Sequence, residues 1–232
     1  MSAGPRYWGI VPAAGLGERM QAGKPKQYLS VAGATVLEHT LMTMLDWEWL
    51  DGVVVVLSQA DQYWPQLSLS AHPRVKTTIG GSLRQDSVLA GLRALAADLG
   101  ESDWVLVHDA ARPCLGDEVE RLRDDVSDDP VGGLLALPIA DTVKEVNDEG
   151  RVYRTLDRTH LWLAQTPQMF RFGVLRDALE QACRAVVEVT DEAAAIERAG
   201  LAARVVEGSP RNIKLTRPAD LAVVARYLAG ED

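Results

Sequence analysis

Cysteine is nearly absent: Cys114 and Cys183 are the two in a chain of 232 residues. They form neither a C-x-x-C pair nor a zinc-type spacing, so a disulfide framework is not expected and a reducing compartment fits. Histidine is scarce as well, with four residues, and no Ser-His-Asp or Cys-His arrangement is evident. No apolar run approaches the ~20 residues of a membrane-spanning helix. The N-terminus has no apolar core behind a basic segment, so no signal peptide is expected. The net charge of −9 argues against nonspecific binding to nucleic acid or an anionic membrane. A local basic pocket on such a protein can still hold an anion. The expectation is a cytoplasmic protein with no nucleic-acid or membrane partner.

What is present is ordinary for a soluble globular enzyme: 47% hydrophobic and 25% charged residues. The length suits one large α/β domain, and residues 1–232 read as a single unit. Short β-branched runs at 8–12, 53–57, 75–79, 104–107 and 134–137 predict strands. Amphipathic stretches at 35–46, 83–97, 117–126, 172–186, 191–199 and 218–228 predict helices between and after them. That alternation predicts a mainly parallel sheet covered on both faces. Residues 138–158, PIADTVKEVNDEGRVYRTLDR, break the rhythm with two alternating segments around Asn-Asp-Glu-Gly. They predict an inserted β-hairpin. A hairpin is marginal alone in water, so this one must pack on something, another subunit being one candidate.

Gly9 to Leu29, GIVPAAGLGERMQAGKPKQYL, follows a strand with glycines and three cations. Ligands of open α/β sheets bind beyond the carboxyl ends of strands, so the loop is well placed. A P-loop would need Gly-Lys-Ser/Thr, but Gly17 is followed by Glu18-Arg19. A dinucleotide fingerprint starting at Gly15 would need glycine where Met20 stands, and its acid at Glu38 falls inside a helix pattern. A nucleotidyltransferase loop remains, in which the glycines admit a triphosphate and Arg19 and Lys26 reach its phosphates. Pro25 restrains the backbone beside Lys26. Taken alone, the same cations read equally well as solvated surface charge.

The motifs then accumulate in order: PAAGLGERM, KPKQYL, GGSLRQDSVLAGL, VHDAARP, DTVK, TLDR, QTPQMF, VTDEAAA and NIKLTRPADL. Together, from about Val11 to Leu228, they closely resemble the 2-C-methyl-D-erythritol 4-phosphate cytidylyltransferase family of the non-mevalonate isoprenoid pathway. The resemblance implies a Rossmann-like nucleotidyltransferase fold. It also implies transfer of CMP from CTP to a polyol phosphate, with release of pyrophosphate and with Mg²⁺ as cofactor. The nearest rival within the class is a ribitol 5-phosphate cytidylyltransferase; PAAG, DAARP and NIKLTRPAD look closer to the methylerythritol enzyme.

Residue by residue, the resemblance implies that Arg19 and Lys26 stabilise the transition state around the α-phosphate. Gly15 and Gly17 belong to the backbone cradle. Ala13, Ala14, Gly80, Gly81 and Ser87 surround the cytosine. Ser82 is left out of the site, because the family form carries an acidic or polar residue there; on its own, Gly80-Gly81 also reads as a turn with Ser82 capping the next helix. Asp109 is the metal candidate, since a carboxylate at the end of a parallel strand can hold Mg²⁺ beside triphosphate oxygens. His108 reads as a packed core histidine. Arg158 and Lys214 match the acceptor-phosphate positions, with Arg112, Thr142, Thr166, Thr190 and Asp191 around the polyol. Thr190-Asp191 also reads as a helix N-cap. Lys24, Arg211 and Arg217 read as surface, and Trp47, Trp49 and Leu50 as packing. Members of the family are homodimers whose hairpin arms interlock. That implies a homodimer here, with Thr142, and Arg112 with it, serving the neighbouring subunit's acceptor pocket.

Overall fold

The computed structural model describes residues 4–15 and 23–231. Its elements run in order: β1 (Tyr7–Pro12), a 3₁₀ turn (Lys26–Tyr28), β2 (Ser30–Val31), β3 (Ala34–Thr35), α1 (Val36–Asp46), β4 (Gly52–Leu57), β5 (Val75–Ile79), α2 (Arg84–Ala94) and β6 (Trp104–Val107). There follow α3 (Glu118–Val126), β7 (Gly132–Pro138), β8 (Lys144–Val146), β9 (Val152–Thr155), β10 (Trp162–Arg171), α4 (Phe172–Arg184), α5 (Glu192–Arg198), β11 (Arg204–Glu207) and α6 (Asp220–Leu228).

Seven strands form one sheet in the order β11-β7-β10-β6-β1-β4-β5. β1 pairs in parallel with β4 and β6, β4 with β5, and β7 with β11; β10 runs antiparallel to both β6 and β7. Side chains alternate faces along a strand, and here both faces are apolar. Ile10, Val54, Val56, Val105 and Val107 pack on one side against α2, α4 and α5. Val11, Val53, Val55, Trp104 and Leu106 pack on the other against α1 and α3. Continuous hydrophobic strands are the signature of a sheet covered twice.

The helices start where local chemistry satisfies their first N–H groups. Thr35 Oγ1 accepts from Glu38 N while the Glu38 carboxylate accepts from Thr35 N, a reciprocal cap on α1. A third apolar cluster joins Leu29, Val31, Val36, Ala111, Leu215 and Val224, which seats α6 beside the loop after β6. Trp47 and Trp49 stack on each other, and Leu50 is buried, as packing residues. Both cysteines are free thiols.

Within residues 138–158, β8 and β9 pair antiparallel as a separate two-stranded sheet. Asn147 Oδ1 accepts from Glu149 N and Arg151 N across the turn, and Gly150 takes φ +75° there. Two strands of the main sheet, β10 and β11, were not expected from pattern. Pro167 interrupts β10 within a register shift between Ala164 and Gln168, and proline in a central strand removes a ladder donor.

Candidate active site

The strand order reverses at β1, with β4 and β5 on one side and β6 on the other. Beyond the carboxyl ends of β1 and β6, at this switch point, opens a cleft of about 290 Å³. Pro12 to Gly15 form one wall, Gly81 to Arg84 and Ser87 another, and Asp109 to Ala111 the third, with Lys26, Gln27, Lys214 and Thr216 completing it. Three of these lining side chains are cations, on a protein of net charge −9.

The glycine loop is held from behind by Gln27. Its buried amide donates to the carbonyls of Ala13, at 2.7 Å, and Gly15, at 3.1 Å. Ala13 N donates to Val56 O, which extends the β1–β4 ladder into the loop. The 3₁₀ turn that carries Gln27 also carries Lys26, whose Nζ donates to Leu215 O at 2.7 Å. Sequence reasoning passed over Gln27, although it stands within KPKQYL.

The second glycine loop leads into α2. A Cβ at Gly80 would lie 2.5 Å from Ser87 Oγ, and one at Gly81 2.5 Å from Asp86 Cβ, so the backbone passes too close for any side chain. Gly80 stands behind the lining, while Gly81 and Ser87 reach it. Two expectations change here. Ser82 lines the cleft, whereas the sequence places it outside the site. It does not cap the helix either: α2 begins at Arg84, and Asp86 accepts from Leu83 N at 3.2 Å.

Asp109 is 8% exposed and lies among three cations. Its Oδ2 is 2.8 Å from Lys214 Nζ and 3.2 Å from Arg112 Nε; its Oδ1 is 3.5 Å from Arg84 Nη2. Burial would raise its pKa, but Lys214, Arg84 and Arg112 outweigh that and hold the carboxyl well below its ordinary range. The group is therefore a permanent anion near neutral pH. Arg84 is bound in turn by buried Glu192, through Nη1 at 2.5 Å and Nη2 at 3.1 Å. Neither Arg84 nor Glu192 was singled out in the sequence, though GGSLR and VTDEA contain them.

His108, next to Asp109, is fully buried. Its Nε2 lies 2.9 Å from Arg112 O, which is an acceptor, so Nε2 carries the proton. Nδ1 then accepts from the Thr166 hydroxyl at 3.0 Å, and Thr166 Oγ1 accepts from Asp109 N at 3.1 Å. Burial pushes the His108 pKa down to about 4. The neutral imidazole thus fixes the loop that carries Asp109, and His108 is the core histidine expected.

Other expected site residues fall in different places. Thr166 is buried with its hydroxyl committed to His108 and Asp109, so it positions the loop and does not line the cleft. Arg112, which the resemblance groups with Thr142 at a neighbouring subunit's acceptor pocket, is engaged by Asp109 and by Asn212 O of its own chain. Asp191 caps α5 by accepting from Ala194 N, as its second reading anticipated, and Thr190 is exposed beside it. Thr142 and Arg158 are exposed at the hairpin, outside the cleft lining, and Arg158 donates to Ala140 O. Arg19 and Gly17 lie outside the described residues. Lys24, Arg211 and Arg217 are at the surface.

Comparison with known proteins gives one consistent answer. The sequence model of the 2-C-methyl-D-erythritol 4-phosphate cytidylyltransferase family matches residues 8–230. The enzyme of that name from Ectopseudomonas mendocina is 55% identical over 219 residues, which is 94% of this chain and 93% of that one. The one from Pseudomonas aeruginosa is 52% identical over 220 residues, 94% of each. Among solved structures, a 4-diphosphocytidyl-2C-methyl-D-erythritol synthase superposes with a TM-score of 0.85 at 38% identity, over 98% of this chain and all of the other. The Francisella tularensis 2-C-methyl-D-erythritol 4-phosphate cytidylyltransferase gives 0.83 at 35% identity, over 96% and 99%.

Proposed function

The chain belongs to the 2-C-methyl-D-erythritol 4-phosphate cytidylyltransferase family of nucleotidyltransferase enzymes, and we propose that it transfers CMP from CTP to methylerythritol phosphate. An oxygen of the acceptor phosphate attacks the α-phosphorus of CTP in line. The new P–O–P bond forms as the bond from the α-phosphorus to the bridging oxygen breaks, and pyrophosphate leaves with that oxygen. A phosphate monoester is largely dianionic at neutral pH, its second pKa being about 6, so no general base has to deprotonate it. The buried neutral His108 is consistent with that, and among the described residues no histidine lines the cleft.

The observation that carries the reading is the cleft itself, whose lining holds Lys26, Arg84 and Lys214 together with one permanent carboxylate, Asp109, ion-paired to the last two. Charge compensation and positioning are what phosphoryl-type transfer asks of a protein. Lys26, with Arg19, neutralises charge gathering on the α-phosphoryl group. Lys214 orients the acceptor phosphate, joined by Arg158 from a hairpin. The backbone of Ala13, Ala14 and Gly81 and the Ser87 hydroxyl read the cytosine, whose amino group and ring acceptors face such groups well.

Mg²⁺ fits the donor set. Among the described residues no three His, Cys, Asp or Glu side chains gather as an all-protein cage. Magnesium typically takes one or two carboxylates plus substrate phosphates, and Asp109 is the carboxylate that would hold it. When bound, the ion neutralises charge on the triphosphate.

The hairpin supports a homodimer through that arm. Val146, Val152 and Tyr153 on it are 54%, 61% and 72% exposed, apolar surface that a partner subunit would cover. Arg158 and Thr142 of one arm would then complete the acceptor pocket of the other protomer.

The test is pyrophosphate release from purified protein with CTP and Mg²⁺. Release should begin on addition of methylerythritol phosphate and stay at background without it; absence of release with the acceptor present would remove the proposal.

A further inference from the structure

Arg84 stands between two acids that are far apart in sequence. Glu192 takes its guanidinium by both ends, at 2.5 and 3.1 Å, while Asp109 Oδ1 stays 3.5 Å from Nη2. The partners of the two Asp109 oxygens are unequal. Oδ2 has Lys214 and Arg112 at hydrogen-bonding distance, whereas Oδ1 faces Arg84 beyond the roughly 2.7–2.9 Å of a charge-assisted hydrogen bond.

The mount of this pair is rigid. Glu192 is 1% exposed at the first position of α5, and that helix start is lashed down by Gln168, which donates to Asp191 Oδ2 and accepts from Ala193 N. Gln85, the neighbour of Arg84, accepts from Val189 N and donates to Val187 O just ahead of α5. With both backbones tied together, the freedom left to Arg84 is the swing of its guanidinium between the two carboxylates.

We propose that Glu192 is a positioning residue that restrains Arg84, keeping Asp109 Oδ1 open to face the metal of the nucleotide complex. The inference rests on the reading of Asp109 as the metal-facing carboxylate. Glu192 does not line the cleft, so its effect passes through Arg84. Without the Glu192 charge, the nearest anion to a largely buried guanidinium is Asp109. Closing on Oδ1 would turn the 3.5 Å ion pair already there into a direct hydrogen bond, and a metal would then have to displace the guanidinium to reach that oxygen.

The probe is Mn²⁺, titrated into protein saturated with CTP and without acceptor, with binding read from water-proton relaxation. Glu192→Gln should weaken Mn²⁺ binding about tenfold, the weight of one charge-assisted contact. Arg84→Gln/Glu192→Gln should return to within about threefold of the parent, because the competitor is gone; a merely structural pair would leave the double variant at least as weak. If Glu192→Gln does not fold, Arg84→Gln at saturating CTP is the fallback: Mn²⁺ binding tighter than the parent is expected, and equal or weaker binding overturns the inference. Parent-like binding by Glu192→Gln, or weak binding by the double variant, overturns the inference. Asp109→Asn separates the two readings. If it binds Mn²⁺ normally, the metal reading falls and the inference with it. If Asp109→Asn loses binding while Glu192→Gln does not, the restraint alone is wrong.

Discussion

Lys214 Nζ lies 2.8 Å from Asp109 Oδ2, joining the loop after β6 to a segment just ahead of α6. Leu215 N donates to Ala111 O beside it, so the lysine is delivered by a backbone bridge as well as by its charge. Lys214→Ala should therefore hurt the acceptor more than the nucleotide. A charge-assisted contact to a dianionic phosphate is worth ~1.5–3 kcal/mol, about ten- to a hundredfold in kcat/KM for the acceptor. The CTP dissociation constant, measured by calorimetry, should move by less than about threefold. Equal losses on both substrates would reassign Lys214 to the triphosphate.

Acid should destabilise the fold through His108 before it reaches Asp109. Burial holds the folded pKa near 4 while the unfolded chain titrates near 6.5. The unfolded state thus binds a proton that the folded state refuses. Stability is present in full above about 6.5 and falls as pH drops toward 4, by at most ~1.4 kcal/mol per unit and ~3 kcal/mol in all. Asp109, held lower than its ordinary value, adds its own loss only below about 4. Urea midpoints between pH 7 and 4.5 should show this slope, and His108→Gln should flatten it. An unchanged slope in that variant would place the titration elsewhere.

Gln27 is the cheapest handle on the glycine loop. Gln27→Leu leaves the Ala13 and Gly15 carbonyls without their donor, at a cost of ~1–3 kcal/mol. The KM for CTP should rise severalfold while the KM for the acceptor stays put. Thermal unfolding and initial-rate kinetics together check it, and a purely global loss of stability would argue against a local role.

How much of this was legible beforehand depended on whether signal was local. Five strands, β1, β4, β5, β6 and β7, announced themselves by short β-branched runs and α1 by its amphipathic stretch, within a residue or two at each end. β10 stayed hidden because Pro167 reads as a strand breaker, and β11 because Arg204–Glu207 is a short edge segment with a mixed pattern. In the site, the motif residues Asp109, Lys26 and Lys214 do meet in one cleft. The roles of Gln27, Arg84 and Glu192 were invisible, since each acts through a partner distant in sequence: Gln27 through backbone carbonyls, Arg84 and Glu192 through one another. Thr166 reads as a ligand-facing hydroxyl for the same reason, whereas in the fold that hydroxyl is bonded to His108.

The hairpin should behave as an assembly element. Tyr153, 72% exposed on β9, sits between exposed Val152 and an arginine that pairs with Glu145. Tyr153→Glu should shift the protein from dimer to monomer in light scattering and lower turnover, while CTP binding persists. A parent that is already monomeric and fully active would refute the arm's role.

Acceptor identity is the centre of the account, and one side-by-side assay addresses it most directly. Purified protein with CTP and Mg²⁺ is given methylerythritol phosphate or ribitol 5-phosphate, and kcat/KM is measured from pyrophosphate release. Methylerythritol phosphate should be preferred by at least about a hundredfold, an ordinary discrimination for a site that hydrogen-bonds its substrate's hydroxyls. Strong turnover of ribitol 5-phosphate with none of methylerythritol phosphate would contradict it.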